Sequence, residues 1–399
     1  MQRRNRVVQL KFLVFAAYWP RPDTDYNVFF VVDQVAALTR MGHEVDVFLE
    51  TPPWRPQAPF LGVNQLGLDA CKVRIFQVII PRFPGRFGRW RWGALLNIWL
   101  CGRFVSHWLS LHGREYDKII IHSERNIGLS SRYWNAGRSW PAVMIVHGPD
   151  DVIEAIPVSF RTRHFGRKVS SALNKIILVG SSLRQYVDDT GYQSDRIQVI
   201  LNGFRPPYSE VIVAEATKQK STVNITCVGR LIYWKGQDDL IEALAKMREV
   251  FPNLKWHLDI IGSGVLEPEL RELVKTRDLT KNVTFHGAIP HEQVFQHLER
   301  SDIFVLPSWK EAFGVVYLEA MATYNAVVGC YGNGADDILT DRIDGRLVPP
   351  RDTSALSETL AELIGNEDGR TNLATAAKET VRRFSWRENA RAVIEALDG

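Results

Sequence analysis

Short apolar runs alternate with amphipathic stretches along the whole chain. In the first half, V-V-Q-L-K-F-L-V-F-A-A, E-V-D-V-F-L, V-R-I-F-Q-V-I-I, D-K-I-I-I-H, A-V-M-I-V-H-G, K-I-I-L-V-G and I-Q-V-I-L-N-G each have the length and β-rich composition of a strand. Between the first two, F-F-V-V-D-Q-V-A-A-L-T-R-M-G carries apolar residues at helical spacing, with Gly42 placed as its C-terminal cap. Strands of this kind separated by helices predict a parallel sheet covered on both faces. The pattern then restarts. A polar stretch over 206–221, with Pro206-Pro207, reads as a linker. Beyond it come V-N-I-T-C-V-G-R, W-H-L-D-I-I-G, V-T-F-H-G, I-F-V-L-P-S and N-A-V-V-G-C, with a helix near D-D-L-I-E-A-L-A-K-M and a terminal helix S-W-R-E-N-A-R-A-V-I-E-A-L. The prediction is an α/β chain of two Rossmann-like domains facing each other across a cleft. They span 1–205 and 206–383, and 384–399 forms a helix returning to the first domain. In open α/β sheets ligands lie beyond the carboxyl ends of the strands, so the residues that follow each strand hold the candidate chemistry.

Composition adds a polarity between the halves. The 399 residues are 45% hydrophobic and 24% charged, enough for two cores. Residues 1–205 carry 27 Lys+Arg against 16 Asp+Glu, and residues 206–399 carry 22 against 29. Eight of the 12 tryptophans lie in the first half. A basic, Trp-rich half joined to an acidic one implies that the two meet different partners. No apolar run reaches eighteen residues, so no transmembrane helix is expected. The N-terminus imitates a signal peptide, but Lys11 interrupts its apolar stretch and Trp19-Pro20 ends it; a first buried strand is the expectation. Cys71, Cys101, Cys227 and Cys330 are far apart, without metal-ligand spacing, and are expected to be reduced core thiols.

The strongest chemical signal lies in the second half. Gly229, at the end of V-N-I-T-C-V-G-R, lets backbone approach a ligand, and Arg230 and Lys235 bring two cations to one end of the sheet. Such a pair suits a diphosphate, although alone it is more often solvated surface. In P-S-W-K-E-A-F-G-V-V-Y-L-E-A-M-A, Gly314 is placed to open a helix whose first amides and positive dipole end favour an anion. Glu311 falls in the loop before that helix. Glu319 falls along it, where it can accept hydrogen bonds from a pair of hydroxyls. The blander alternative is two exposed carboxylates on an acidic domain.

Together, V-G-R-L-I-Y-W-K-G and E-A-F-G-V-V-Y-L-E-A-M-A resemble glycosyltransferase family 4, of the GT-B fold, and the resemblance extends over essentially the whole chain. It implies a retaining transferase that moves a hexosyl group from a UDP- or GDP-linked sugar, with Arg230 and Lys235 on the diphosphate and Glu319 on the ribose. It further implies Glu311 and the backbone of Phe313, Gly314 and Val315 at the transferred sugar and phosphate, and Ala288 and Ile289 at the base. M-I-V-H-G-P-D-D resembles the family segment that presents a histidine, which implicates His147, and Asn202-Gly203 resembles its hinge. No carboxylate is placed as a nucleophile, so a front-face route assisted by the leaving phosphate is expected. One departure concerns the first loop. Relatives carry a glycine pair there, but this chain reads Y-W-P-R-P-D-T-D-Y-N-V-F-F, which leaves Asn27 as the residue able to adopt a left-handed turn.

Two further motifs are set aside. Asp23-Thr24-Asp25 spells a metal-binding D-x-D but sits in the wrong architecture, and no essential metal or other cofactor is expected. Gly262-Ser263-Gly264 lacks the third glycine of a dinucleotide fingerprint and reads as a tight turn. In P-R-F-P-G-R-F-G-R-W-R-W, Arg86, Arg89, Trp90, Arg91 and Trp92 interleave ahead of an apolar helix. Such a segment suits an anionic bilayer, and the alternative is a basic loop before a buried helix. The resulting expectation is a cytoplasmic enzyme, peripheral on the inner face of the membrane, that glycosylates a sugar or lipid-linked acceptor in polysaccharide or glycolipid synthesis. Nucleic acid is not an expected partner. A sugar-nucleotide epimerase of the same fold and a non-catalytic glycosyltransferase-like subunit remain alternative readings.

Overall fold

The structure, a computed structural model, describes residues 8–16, 19–21, 29–51, 60–80, 91–122, 127–137, 139–148, 163–205 and 222–399. The linker 206–221, the 23–25 motif and Asn27, Arg86, Arg89 and Trp90 lie outside them. The chain forms two compact units, residues 1–203 with 385–399 and residues 204–384.

Unit 1 runs β1 (Lys11–Ala16), α1 (Phe30–Arg40), β2 (Glu44–Thr51), β3 (Val73–Ile79), α2 (Arg91–His112), β4 (Lys118–His122), α3 (Leu129–Trp134), β5 (Ala142–Val146), α4 (Arg163–Ser171), β6 (Lys175–Leu178), α5 (Arg184–Val187) and β7 (Ile197–Val199). Its strands form one seven-stranded sheet in the order β3-β2-β1-β4-β5-β6-β7. Among the described residues every pairing in it is parallel. Every residue of β4 and β5 is buried, Lys118 and His122 of β4 included, as interior strands of a parallel sheet are. Residues 11–16, inside the signal-like stretch, form an interior strand between β2 and β4. Gly42 follows α1 at φ +100°, past its last turn.

Unit 2 runs β8 (Val223–Val228), α6 (Gln237–Val250), β9 (Trp256–Ile261), α7 (Glu267–Thr276), β10 (Val283–Gly287), α8 (His291–Arg300), β11 (Ile303–Val305), α9 (Val315–Ala322), β12 (Ala326–Cys330), β13 (Arg346–Val348), α10 (Thr353–Gly365) and α11 (Glu367–Val381). Its sheet has six strands, again parallel, in the order β10-β9-β8-β11-β12-β13. The sequence pattern did not anticipate β13, whose three residues are too few to show a period.

The last helix, α12 (Trp386–Asp398), belongs to unit 1. Ser385 caps it by accepting from the Glu388 amide at 3.1 Å. Its buried Trp386, Asn389, Ala390, Val393, Ala396 and Leu397 keep helical spacing. Lys118, buried in β4, donates to Asp398 at 2.5 Å. Three cysteines are buried as expected, but Cys71 is exposed, in the turn residues before β3.

Candidate functional site

The carboxyl ends of β8 and β11 bring the cations and carboxylates of unit 2 together. After β8, Gly229 and the exposed Arg230 lead into a single 3-10 turn, Tyr233–Lys235, which ends on Gly236. Gly236 has φ +72°, and a Cβ there would lie 2.4 Å from the Pro307 carbonyl oxygen, so only glycine lets the turn close against the loop after β11. That loop is fastened in return. The Trp234 carbonyl accepts from Ser308 Oγ at 3.0 Å and from the Trp309 amide at 3.1 Å. The Gly334 amide donates to the Glu311 carbonyl at 2.9 Å. With both loops anchored, Lys235 Nζ donates to Glu311 Oε2 in an ion pair whose side chains are each 15% exposed.

Gly314 then opens α9 at φ +86°, where a Cβ would lie 2.6 Å from the Tyr317 ring and 3.1 Å from Glu311 Cγ. Phe313 is buried and Val315 exposed. One turn further along α9, Glu319 is buried, and its Oε1 accepts from His291 Nε2 at 2.8 Å. The hydrogen bond to Glu319 raises the His291 pKa, against the opposing effect of burial. His291 begins α8 just after Ala288 and Ile289, so the segment expected at the base and the carboxylate expected at the ribose are joined by this pair. Sequence reasoning passed over His291; its position directly after that loop was the available signal. Gly262, Ser263 and Gly264 follow β9 as extended loop, with turn residues only at 265–266, and a Cβ on Gly262 or Gly264 would collide with the Gly229 or Leu231 carbonyl.

Unit 1 holds a separate polar chain. His147 follows β5, and its ring stacks on Phe30 with centroids 3.9 Å apart. Its Nε2 lies 2.9 Å from Nδ1 of the buried His122, at the end of β4. His122 Nε2 lies 3.0 Å from Gln34 Oε1 in α1. Gln34 Nε2 donates to Asn389 Oδ1 in α12 at 2.7 Å, and Asn389 Nδ2 donates to the Leu201 carbonyl at 2.8 Å. A backbone carbonyl can only accept, and this orients the whole chain. Asn389 must present its nitrogen to Leu201 and its oxygen to Gln34, so Gln34 presents its oxygen to His122. His122 therefore carries its proton on Nε2 and accepts at Nδ1 from His147 Nε2–H. His147 is left with Nδ1 as its deprotonated nitrogen. Burial pushes His122 down to about 3 and, with His122 beside it, His147 well below the ordinary histidine value. Both imidazoles are thus neutral at pH 7. Gln34, His122 and Asn389 carry no sequence motif of their own. Asn202 is buried, and Gly203 packs on Trp386 where unit 1 ends.

Arg91 and Trp92 open α2. That helix buries Ile98, Cys101, Val105 and Leu109, and exposes Leu96, Trp99, Arg103 and Leu111. It is buried along one face only, between the two expectations for this segment. Among the described residues no helix is long and apolar enough to cross a membrane.

Comparison with known proteins gives two family matches in tandem. Residues 29–206 match the model described as Glycosyltransferase Family 4, and residues 209–380 match the one described as Glycosyl transferases group 1. The D-inositol 3-phosphate glycosyltransferase of Xylanimonas cellulosilytica is 24% identical over 92% of this chain and 89% of its own. The GDP-mannose-dependent monoacylated alpha-(1-6)-phosphatidylinositol monomannoside mannosyltransferase of Corynebacterium glutamicum is 33% identical over 43% of this chain and 47% of its own. Among solved structures, HepE of Anabaena in complex with UDP and glucose has a TM-score of 0.68, 18% identity, and coverage of 98% of this chain and 100% of that one. A likeness at that identity establishes the fold.

Proposed function

The chain belongs to the family 4 type of glycosyltransferases, with the GT-B fold, and on that premise we propose that it transfers a hexosyl group from a nucleoside diphosphate sugar with retention of configuration. The observation that carries this reading is the convergence of Lys235, Glu311 and Gly314 at one end of the unit 2 sheet, with Glu319 held in place along the same helix. Lys235 and Arg230 bind the diphosphate, and the amides at the start of α9 share its charge. As the bond to the sugar breaks, negative charge grows on the leaving phosphate, and fixed cations and dipoles stabilise that charge most. Glu319 holds the ribose hydroxyls, and the backbone of Ala288 and Ile289 meets the base. Glu311 and the segment Phe313–Val315 contact the transferred sugar. The acceptor hydroxyl attacks the anomeric carbon from the face the diphosphate leaves, and its proton passes to the departing phosphate oxygen. His147, at the end of β5, is the unit 1 residue that contacts donor sugar or acceptor. No metal is required, since Arg230 and Lys235 supply the charge a divalent cation would bring.

The test is thermal stabilisation by UDP, GDP and ADP and their common sugars, in wild type and Glu319→Ala. At 100 times its Kd a ligand adds about 2.7 kcal/mol of stability. A shift with one nucleotide, absent in the variant, supports the reading and names the base; no shift with any nucleotide sinks it. Product stereochemistry is read by NMR, and an inverted anomer would exclude the front-face route.

We further propose that the acceptor is lipid-linked and that the enzyme works at an anionic membrane surface. The exposed Leu96, Trp99 and Arg103 on α2 support this, since interfacial tryptophan beside a cation suits the headgroup region. The Corynebacterium relative's name points to a phosphatidylinositol-based acceptor. Sedimentation with anionic vesicles tests it: recovery of the protein entirely in the supernatant would remove the membrane from the proposal.

A further inference from the structure

Unit 2 gathers a second cluster of imidazoles on β9, β10 and α8. The Asp259 carboxylate, one ring nitrogen of His286 and one of His297 all lie within 4.8 Å of one another. The three side chains are 22%, 26% and 26% exposed, half sheltered but open on one side. Their meeting has a local cause. β9 and β10 are parallel neighbours in which Thr284 sits opposite Asp259, and the register shifts between Phe285 and Gly287. That irregularity leaves His286 without a direct cross-strand partner, and its imidazole settles on Asp259, with Nε2 2.6 Å from Oδ1. His297 arrives from α8. Its ring centroid is 4.4 Å from that of His286, and its Nδ1 is 3.9 Å from Asp259 Oδ2. His257, two residues before Asp259, lies at the rim, where its Nε2 is 3.0 Å from Thr284 Oγ1 and 3.6 Å from Asp259 Oδ1.

A hydrogen-bonded His286–Asp259 pair accounts for the short contact but not for His297. Its 3.9 Å separation from the carboxylate is too long for a hydrogen bond. It does match the spacing of two donors that flank one ion. Ligands held at about 2.0–2.2 Å in a tetrahedron lie roughly 3.3–3.5 Å apart. The longer separation closes, and the shorter opens, by less than about 1 Å when a metal replaces the bridging proton. Two imidazoles and one carboxylate form the donor set of zinc-like ions, whereas magnesium and calcium prefer all-oxygen sites. We propose that Asp259, His286 and His297 bind a divalent transition-metal ion of the zinc class, with water in the fourth position. The ion clips β9, β10 and α8 together. Because α8 begins at His291, the partner of Glu319, it braces the helix that orients this carboxylate. The site is separate from any metal role in transfer and does not depend on the donor-binding reading.

The experiment uses untagged full-length protein stripped with chelator, then titrated with Co(II) and Zn(II). A four-coordinate Co(II) absorption band that saturates at one ion per chain and is displaced by Zn(II) is expected. His286→Asn and His297→Gln should each weaken binding at least tenfold, while His257→Gln should not. Circular dichroism in chelator checks that the variants fold. In wild type, Zn(II) should shift the imidazole NMR signals of His286 and His297 ahead of those of other histidines. Absence of the cobalt band in wild type overturns the proposal whatever the variants do. A band retained in both His286→Asn and His297→Gln, or NMR shifts confined to other histidines, overturns it equally.

Discussion

His122 Nδ1 and His147 Nε2 lie 2.9 Å apart with their ring planes inclined by only 12°, and the direction of the proton between them is set by a backbone carbonyl at Leu201. The relay crosses four side chains, from β5 through β4 and α1 to α12, and ends where unit 1 ends. It fixes the tautomer of a histidine at a strand end, with the proton on Nε2 and none on Nδ1.

This pair makes stability depend on pH with a definite sign. Burial lowers His122 from 6.5 to about 3, so the unfolded chain takes up a proton that the folded one refuses. Its contribution is complete above pH 6.5 and declines as pH falls towards 3, by about 1.4 kcal/mol per pH unit. Urea unfolding of wild type and His122→Gln between pH 7.5 and 5 should show the shallower slope in the variant. Equal slopes would mean that His122 does not stay neutral.

The pairing of Lys235 with Glu311 predicts an interaction that a donor should weaken. In a double-mutant cycle with Lys235→Met and Glu311→Gln, coupling of roughly 0.5–3 kcal/mol is expected without nucleotide. Saturating nucleoside diphosphate should reduce it, because phosphate oxygens then satisfy Lys235. Lys235→Met should also lower kcat by on the order of 10²–10³, as for loss of a charge-stabilising donor. Coupling unchanged by nucleotide would separate Lys235 from the diphosphate.

At His291 the sign is reversed. The bond to Glu319 raises its pKa, so the stabilisation it brings is complete below 6.5 and is lost as pH rises through the elevated value. With its side chain 60% exposed, solvent keeps that contribution small. Proton NMR should therefore show His291 titrating above the ordinary value in wild type and lower in Glu319→Gln. The same midpoint in both proteins would show that the contact does not persist in solution.

Two glycines with similar backbone angles should respond differently to alanine. Gly314 and Gly332 have φ of +86° and +75°, but a Cβ would meet the Tyr317 ring at 2.6 Å in the first and nothing within 4 Å in the second. Gly332→Ala should cost about 1–2 kcal/mol from the left-handed backbone alone. Gly314→Ala should add a further 1–3 kcal/mol or so of overpacking. Thermal unfolding of the two variants measures the difference; equal losses would show that the start of α9 yields.

Much of the architecture was legible. Strands such as A-V-M-I-V, and I-I-I between Lys118 and His122, are buried along their length, so their apolar runs are unbroken, and S-W-R-E carries its own helix cap. Arg230, Lys235, Glu311 and Glu319 could be singled out because loops after parallel strands are where an α/β sheet meets ligands. Less could be read where a residue's role lay in another segment. The salt bridge of Lys235 to Glu311 spans 76 positions, and the contact of Gln34 with Asn389 spans 355. Cys71 was expected in the core and is exposed, because a lone cysteine in a turn carries no period to reveal its side.

By itself, then, the sequence determined the succession of strands and helices, the restart that makes two sheets, and the residues standing at the strand ends. These follow from short-range rules of apolar spacing, caps and turns, which act within a few residues. Only the tertiary structure decided which of those residues touch and in which protonation state. Hydrogen-bond partners and desolvation come from atoms brought in by distant segments, so the neutral His122–His147 pair, the restrained Glu319 and the Asp259–His286–His297 cluster each exist only once the unit that holds them has folded.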